Sequence, residues 1–136
     1  MIVGGAAFKG AGPGPRQLRR CLESFRPAAC EQIIIVDTGI GAKGRAVIEK
    51  ESHWREGEHL EPITQLSFEW VDNFAAARNA ALPYADTEWW TWADGDDTIQ
   101  GAENIKPMLA ALPDRIGGVW CGYDYARDEF GNTTTF

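Results

Sequence analysis

The chain has 136 residues, 44% hydrophobic and 11% aromatic, with a formal net charge of −7 at neutral pH. These values predict one globular domain with a core of its own rather than a disordered chain. The acidic balance argues against a nucleic-acid binder, which needs a basic patch, and no apolar run approaches the roughly 20 residues of a membrane span.

Met1 to Val3 predicts a short first strand, and Gly4 to Pro15 a Gly- and Pro-rich loop. This beginning lacks the basic region and the apolar length of a signal peptide. Leu18, Cys21, Leu22 and Phe25 stand at i, i+3, i+4 and i+7, one apolar helix face, stopped by Pro27. Ile33-Ile34-Ile35-Val36 is a continuous β-branched run, as a central parallel strand requires, and it ends in Asp37-Thr38-Gly39. A charged helix from about Ala42 to Glu51 follows, and Leu66, Phe68 and Trp70 alternate as a half-buried strand. Asp72 or Asn73 caps a helix carrying Phe74, Ala77 and Ala81 that ends near Pro83.

Trp89 to Ala93 reads as a buried aromatic strand. It ends in Asp94-Gly95-Asp96-Asp97, three carboxylates within four residues. A short helix then tolerates Pro107 only near its first turn. Val119, Cys121, Tyr123 and Tyr125 alternate as a last strand, Asp128 to Asn132 is turn chemistry, and Thr133 to Phe136 begins a returning strand. Strands alternating with helices predict a mostly parallel α/β sheet. The three cysteines, Cys21, Cys30 and Cys121, lack zinc-site spacing and suit reduced, mostly buried thiols in a cytoplasmic protein.

Clustered carboxylates repel one another unless a cation or solvent screens them. A divalent ion carrying a phosphate ligand is the sharpest functional reading, since hard cations take oxygen ligands and share them with substrate phosphates. The plain alternative is that these Asp residues make a turn and cap the next element. Position favours function. In open α/β sheets ligands bind outside the carboxyl ends of the strands, and both Asp37 and Asp94 stand at such an end.

In order along the chain, Leu18 to Arg26, then Ile33 to Gly39, then Asp72-Asn73-Phe74-Ala75-Ala76-Ala77-Arg78-Asn79, then Asp94-Gly95-Asp96-Asp97, resemble the family 2 glycosyltransferases of the GT-A fold. The resemblance covers most of the chain. It implies a three-layer α/β/α sandwich with a mainly parallel sheet, the donor nucleotide-binding half of such an enzyme over residues 1–136, without the acceptor-binding part. It further implies a nucleoside-diphosphate sugar as partner, a UDP-sugar slightly favoured over a GDP-sugar, an unknown acceptor, and a larger assembly or additional domain. Nucleotide contacts would come from Val3, Asp37, Arg78, Asp94 and Gly95, and Mn²⁺ or Mg²⁺ would be held by Asp94 and Asp96. Asp37 would accept from the base ring N–H, and Arg78 would lie near the diphosphate, where forked cationic donors suit phosphate oxygens.

The chain departs from the family after Asp37-Thr38-Gly39, where Ile40-Gly41-Ala42-Lys43-Gly44 replaces the usual Ser-Thr-Asp-Gly continuation. A polar loop after the first strand is also replaced, by Gly4-Gly5-Ala6-Ala7, which leaves base contacts there to backbone groups of Val3 or Gly4. The family's general base is expected in the acceptor-binding part, so the resemblance assigns no catalytic base among residues 1–136.

Two other classes remain in view. A non-catalytic nucleotide or nucleotide-sugar-binding module would need the same residues without transfer. Asp94-Gly95-Asp96-Asp97-Thr98 also matches the nucleophile loop of haloacid dehalogenase-like phosphatases, whose remaining catalytic elements find little room after it. Gly10-Ala11-Gly12-Pro13-Gly14-Pro15 lacks the third glycine of a dinucleotide fingerprint, and an EF-hand from Asp94 would meet Ile99 and Ile105 where Gly and Glu are needed. His53 and His59 read as surface residues, and the tryptophans as core and strand packing.

Overall fold

The computed structural model describes residues 2–5, 14–53, 63–127 and 133–135. Residue contacts divide the chain into two compact units, Met1–Lys106 and Pro107–Phe136.

The first unit holds β1 (Ile2–Gly5), α1 (Pro15–Phe25), β2 (Ile33–Asp37), α2 (Gly41–His53), β3 (Ile63–Ser67), α3 (Phe74–Asn79) and β4 (Trp92–Asp94). Its four strands form one parallel sheet in the order β3-β2-β1-β4. A short helix α4 (Ile105–Ala110) crosses the boundary between the units, with Pro107 in its first turn as expected. The second unit carries an antiparallel ribbon of β5 (Asp124–Arg127) and β6 (Thr133–Thr135), irregular between Asp124 and Ala126. Among the described residues no helix is long and apolar enough to cross a membrane.

α1 forms where its apolar spacing predicts, and Leu18, Cys21, Leu22 and Phe25 are all buried. Pro15 opens the helix at a position that needs no N–H, and Gln17 Oε1 accepts from the Gly14 amide at 2.8 Å. An eleven-residue helix is marginal in water, so burial of that face, worth roughly 1.5–3 kcal/mol per large side chain, is what holds it.

β2 is buried on both sides. Ile33 and Ile35 pack with Leu18, Leu22, Val47, Ile48 and Ala93, while Ile34 and Val36 pack with Ala81, Leu66 and Phe68. That two-sided burial is why the run is continuously apolar.

Several element boundaries differ from expectation, because the partner strand sets where a ladder stops. Gly4 and Gly5 belong to β1, paired with Val36 and Asp37. β3 runs Ile63–Ser67 rather than over Leu66 to Trp70, since its ladder ends at Asp37↔Ser67; one further bond, Phe68 N–H to the Asp37 carbonyl at 2.9 Å, closes it. Leu66, Phe68 and Trp70 still alternate as half-buried. β4 begins at Trp92, opposite Ile2, so Trp89 to Thr91 precede the ladder. β4 is also the sheet edge here, and Trp90 and Trp92 are exposed rather than buried; only Ala93 of the run is buried. The last strand is confined to Asp124–Arg127, and Val119 to Tyr123 stay outside it. The turn expected at Asp128 to Asn132 and His59 lie outside the described residues. None of the three cysteines forms a disulfide; Cys21 is buried, Cys30 half-buried and Cys121 exposed.

Candidate functional site

Strand order places the acidic turn. The chain moves from β1 to β2 to β3 in one direction and then returns past β1 to lay down β4. The order reverses between β1 and β4, the position at which parallel sheets open a crevice at their carboxyl ends. Gly4 is level with both Val36 and Asp94, and Gly5 with Asp37. Asp37 and Asp94 therefore end the two strands that flank β1, on one edge of the sheet, with backbones about 10 Å apart.

Asp94-Gly95-Asp96-Asp97 is a tight turn closed twice. Asp97 N–H donates to the Asp94 carbonyl at 2.9 Å, and Asp94 N–H donates to Asp97 Oδ2 at 2.9 Å. Asp97 thus braces the turn with both its amide and its carboxylate. Gly95 is buried at the bend. Asp96 is exposed, and among the described residues its carboxylate has no hydrogen-bond or ion-pair partner.

α1 supports the turn from the core side. The Cys21 thiol donates to the Asp94 carbonyl at 3.5 Å, and Arg20 reaches the Asp96 carbonyl at 3.4 Å. Ser24 Oγ accepts from Ile99 N–H at 3.1 Å while donating to the Cys21 carbonyl at 2.7 Å. Burial, followed by the charges of Asp97, Asp96 and Asp94, pushes the Cys21 thiol up to about 12, so it stays a neutral donor.

On the open side of the turn stands Arg78, from α3. Asn73 caps that helix, its Oδ1 accepting from Ala76 N–H at 3.0 Å, while Asp72 turns the chain with a left-handed φ of 56°. Arg78 Nη2 straddles the Asp94 carboxylate at 3.1 and 3.3 Å. Its guanidinium also lies 5.5 Å from the centroid of the Trp92 ring. Trp92 pairs in turn with Trp90 at 5.6 Å. Phe74, Arg78, Asn79, Leu82, Trp90 and Trp92 line a groove of about 350 Å³, within the range of small-ligand sites.

Asp37 is held differently. It is 4% exposed, and four donors fill its oxygens: Gly39 N–H at 2.8 Å and Ile40 N–H at 2.7 Å on Oδ1, Arg45 Nε and Gln65 Nε2 at 3.0 Å each on Oδ2. Gly39, with φ 129°, makes the bend that brings those amides round. Burial pushes the Asp37 carboxyl up, but the Ile40 and Gly39 amides and the Arg45 guanidinium outweigh it and hold it below its ordinary 3.8. A ligand N–H would reach Asp37 only by displacing one of these donors.

Arg78, Asp94, Gly95 and Asp96 thus come together at one strand end, and Asp37 stands two strands along the same edge, beyond β1. Val3 lies within the ladder opposite Ile35 and Ala93, one position short of Gly4. Among the described residues no group of three or more His, Cys, Asp or Glu is gathered as a ready metal cage. Sequence reasoning missed Arg45, Gln65, Arg20, Cys21 and Ser24 as supports, since nothing local marks a side chain that reaches across elements. The groove had a signal. Residues at i, i+2 and i+4 of an extended segment share a side, which groups Trp90 and Trp92 with Asp94.

The glycosyl transferase family 2 model matches residues 15–135. Neither the curated proteins nor the solved structures give a significant match. With β2, the Asp72 to Asn79 segment and the acidic turn all inside the matched region, the chain belongs to glycosyl transferase family 2.

Proposed function

We propose that this chain binds a nucleoside-diphosphate sugar at the carboxyl ends of β1, β2 and β4 and serves transfer of the sugar to an acceptor. The observation that carries the reading is the convergence of Asp94, Asp96 and Arg78 where the strand order reverses. The packing of β2 on two sides supports a three-layer α/β/α sandwich of GT-A type.

Mn²⁺ or Mg²⁺ fits the donor set. Asp94 and Asp96 offer two hard carboxylates two residues apart, and the Asp96 carboxylate meets no hydrogen-bond or ion-pair partner among the described residues. Such ions are commonly held by one or two carboxylates with substrate phosphates and waters completing the shell, which suits a turn that is not a protein-only cage. When bound, the ion supplies charge neutralisation for the leaving nucleoside diphosphate. Arg78 binds phosphate oxygens through its forked donors. The Gly95 bend keeps Asp94 and Asp96 at the mouth of the crevice, and Asp37 holds the loop after β2 that forms its far wall. A uracil ring N–H would pair with Asp37 in exchange for Gln65 or Arg45, a UDP-sugar being slightly favoured over a GDP-sugar.

Titration calorimetry with UDP and GDP, each with and without Mn²⁺, tests the reading. Metal-dependent binding below millimolar nucleotide is expected. No metal-dependent binding at millimolar nucleotide would overturn it, and binding without sugar transfer or donor hydrolysis would reduce the protein to a nucleotide-sugar-binding module.

A further inference from the structure

Arg78 occupies the Asp94 carboxylate in the way a bound cation would. One nitrogen, Nη2, lies 3.1 Å from one oxygen and 3.3 Å from the other, and no second donor to that carboxylate is found among the described residues. The same guanidinium rests 5.5 Å from the Trp92 ring centroid at the edge of the aromatic groove. Side-chain exposures of 35% for Arg78 and 30% for Asp94 place the pair at the mouth of the site, where ion pairs are weak enough to open.

We propose that Arg78 is an exchangeable counter-ion: it neutralises Asp94 while no metal is bound, and is released to phosphate when a divalent cation takes its place. The inference rests on the reading of Asp94 as a metal-binding and Arg78 as a phosphate-binding residue, and adds that each function is withheld while the two are paired. A cation arriving at Asp94 must displace Arg78. A diphosphate drawing Arg78 away exposes Asp94 to the cation, and by linkage the two effects are equal. Trp92 gives the released guanidinium a second resting place, so Arg78 stays beside the groove instead of swinging into solvent.

The exchange makes a prediction of unusual sign. Removing a positive residue from a phosphate-binding site should strengthen metal binding in the absence of nucleotide. Mn²⁺ alone, followed by electron paramagnetic resonance, should bind Arg78→Gln about three- to fivefold more tightly than wild type, the size of one partly exposed ion pair. Arg78→Lys keeps the charge and should stay within about twofold of wild type. In calorimetry, Mn²⁺ with UDP should bind Arg78→Gln at least about tenfold more weakly, since a charged phosphate contact is lost. With chelator present, UDP should bind Asp94→Asn more tightly than Asp96→Asn, although each removes one negative charge, because only the former frees Arg78.

If Arg78→Gln binds Mn²⁺ no better than wild type while wild type binds Mn²⁺ with UDP, the exchange is wrong and the site reading stands. If wild type binds neither Mn²⁺ nor Mn²⁺ with UDP, the site reading is wrong and the exchange falls with it. Equal metal-free UDP affinities of Asp94→Asn and Asp96→Asn would overturn the exchange independently of whether Arg78→Gln folds.

Discussion

Asp37→Asn replaces one acceptor oxygen by an N–H donor at the most fully bonded side chain of the site. Asn Oδ1 can keep the Gly39 and Ile40 amides, now at 2.8 and 2.7 Å. Nδ2 then faces Arg45 Nε and Gln65 Nε2, both donors, at 3.0 Å. Gln65 relieves its clash by rotating its amide to present oxygen. Arg45, 58% exposed, turns to water, so its pair with Asp37 contributes no more than about 1 kcal/mol. The two retained amide bonds weaken from charge-assisted to neutral, about 1 kcal/mol each, and removing a buried charge offsets part of the total. The expected loss is about 2 kcal/mol. Asp37→Ala strands both amides as well and should cost about 4 kcal/mol, since each unpaired buried donor adds roughly 1–3 kcal/mol.

Urea unfolding monitored by tryptophan fluorescence measures both values. Equal losses for Asn and Ala, or no loss in either, would refute the claim that Asp37 organises the loop after β2. The pH dependence is a second check. Asp37 is held below its ordinary 3.8 in the folded protein, so folding releases protons there and its stabilisation is complete above the unfolded value. The gap between wild type and Asp37→Asn should be constant from about pH 5 to 7 and close as pH falls through the depressed folded value. A gap that widens on acidification would contradict the bonding described.

Asp96→Asn should leave stability without ligand unchanged or slightly raised, because it relieves repulsion in the turn, and should abolish the melting-temperature gain from Mn²⁺ with UDP; a loss of about 1 kcal/mol with that gain intact would mark a turn residue instead. Ser24→Ala removes the acceptor for Ile99 N–H and should cost about 1 kcal/mol, with faster hydrogen exchange at the Ile99 amide; unchanged protection would show that α1 does not hold the acidic loop. Gly44→Ala gains about 1 kcal/mol in helix propensity but places a methyl group against Ile40 Cγ2 in the core, an overpacking cost of about 1–3 kcal/mol. Thermal denaturation should show net destabilisation of about 1 kcal/mol, and a stabilised variant would mean that Ile40 moves aside freely.

Amino-acid order alone determined the features that depend on periodicity and on strand ends. The helical spacing of Leu18, Cys21, Leu22 and Phe25 and the unbroken Ile33 to Val36 run each have one low-energy reading, because 3.6-residue and two-sided burial leave distinct patterns. Parallel strands share a carboxyl edge, so the sequence by itself puts Asp37 and Asp94 on one edge, while the topology interposes β1 between them. Tertiary structure decided what those carboxylates meet. The ladder bounds of β3 and β4 follow from where β2 and β1 offer a partner, not from the residues' own preferences. The aromatic run before Asp94 looks buried by composition, yet Trp90, ahead of the ladder, and Trp92, at its first position, are both exposed. Most consequentially, one acidic strand-end carboxylate is saturated by Gly39, Ile40, Arg45 and Gln65, while the other meets only Arg78 among the described residues. That difference arises from side chains on separate elements meeting at distances set by register and packing, which local sequence does not encode.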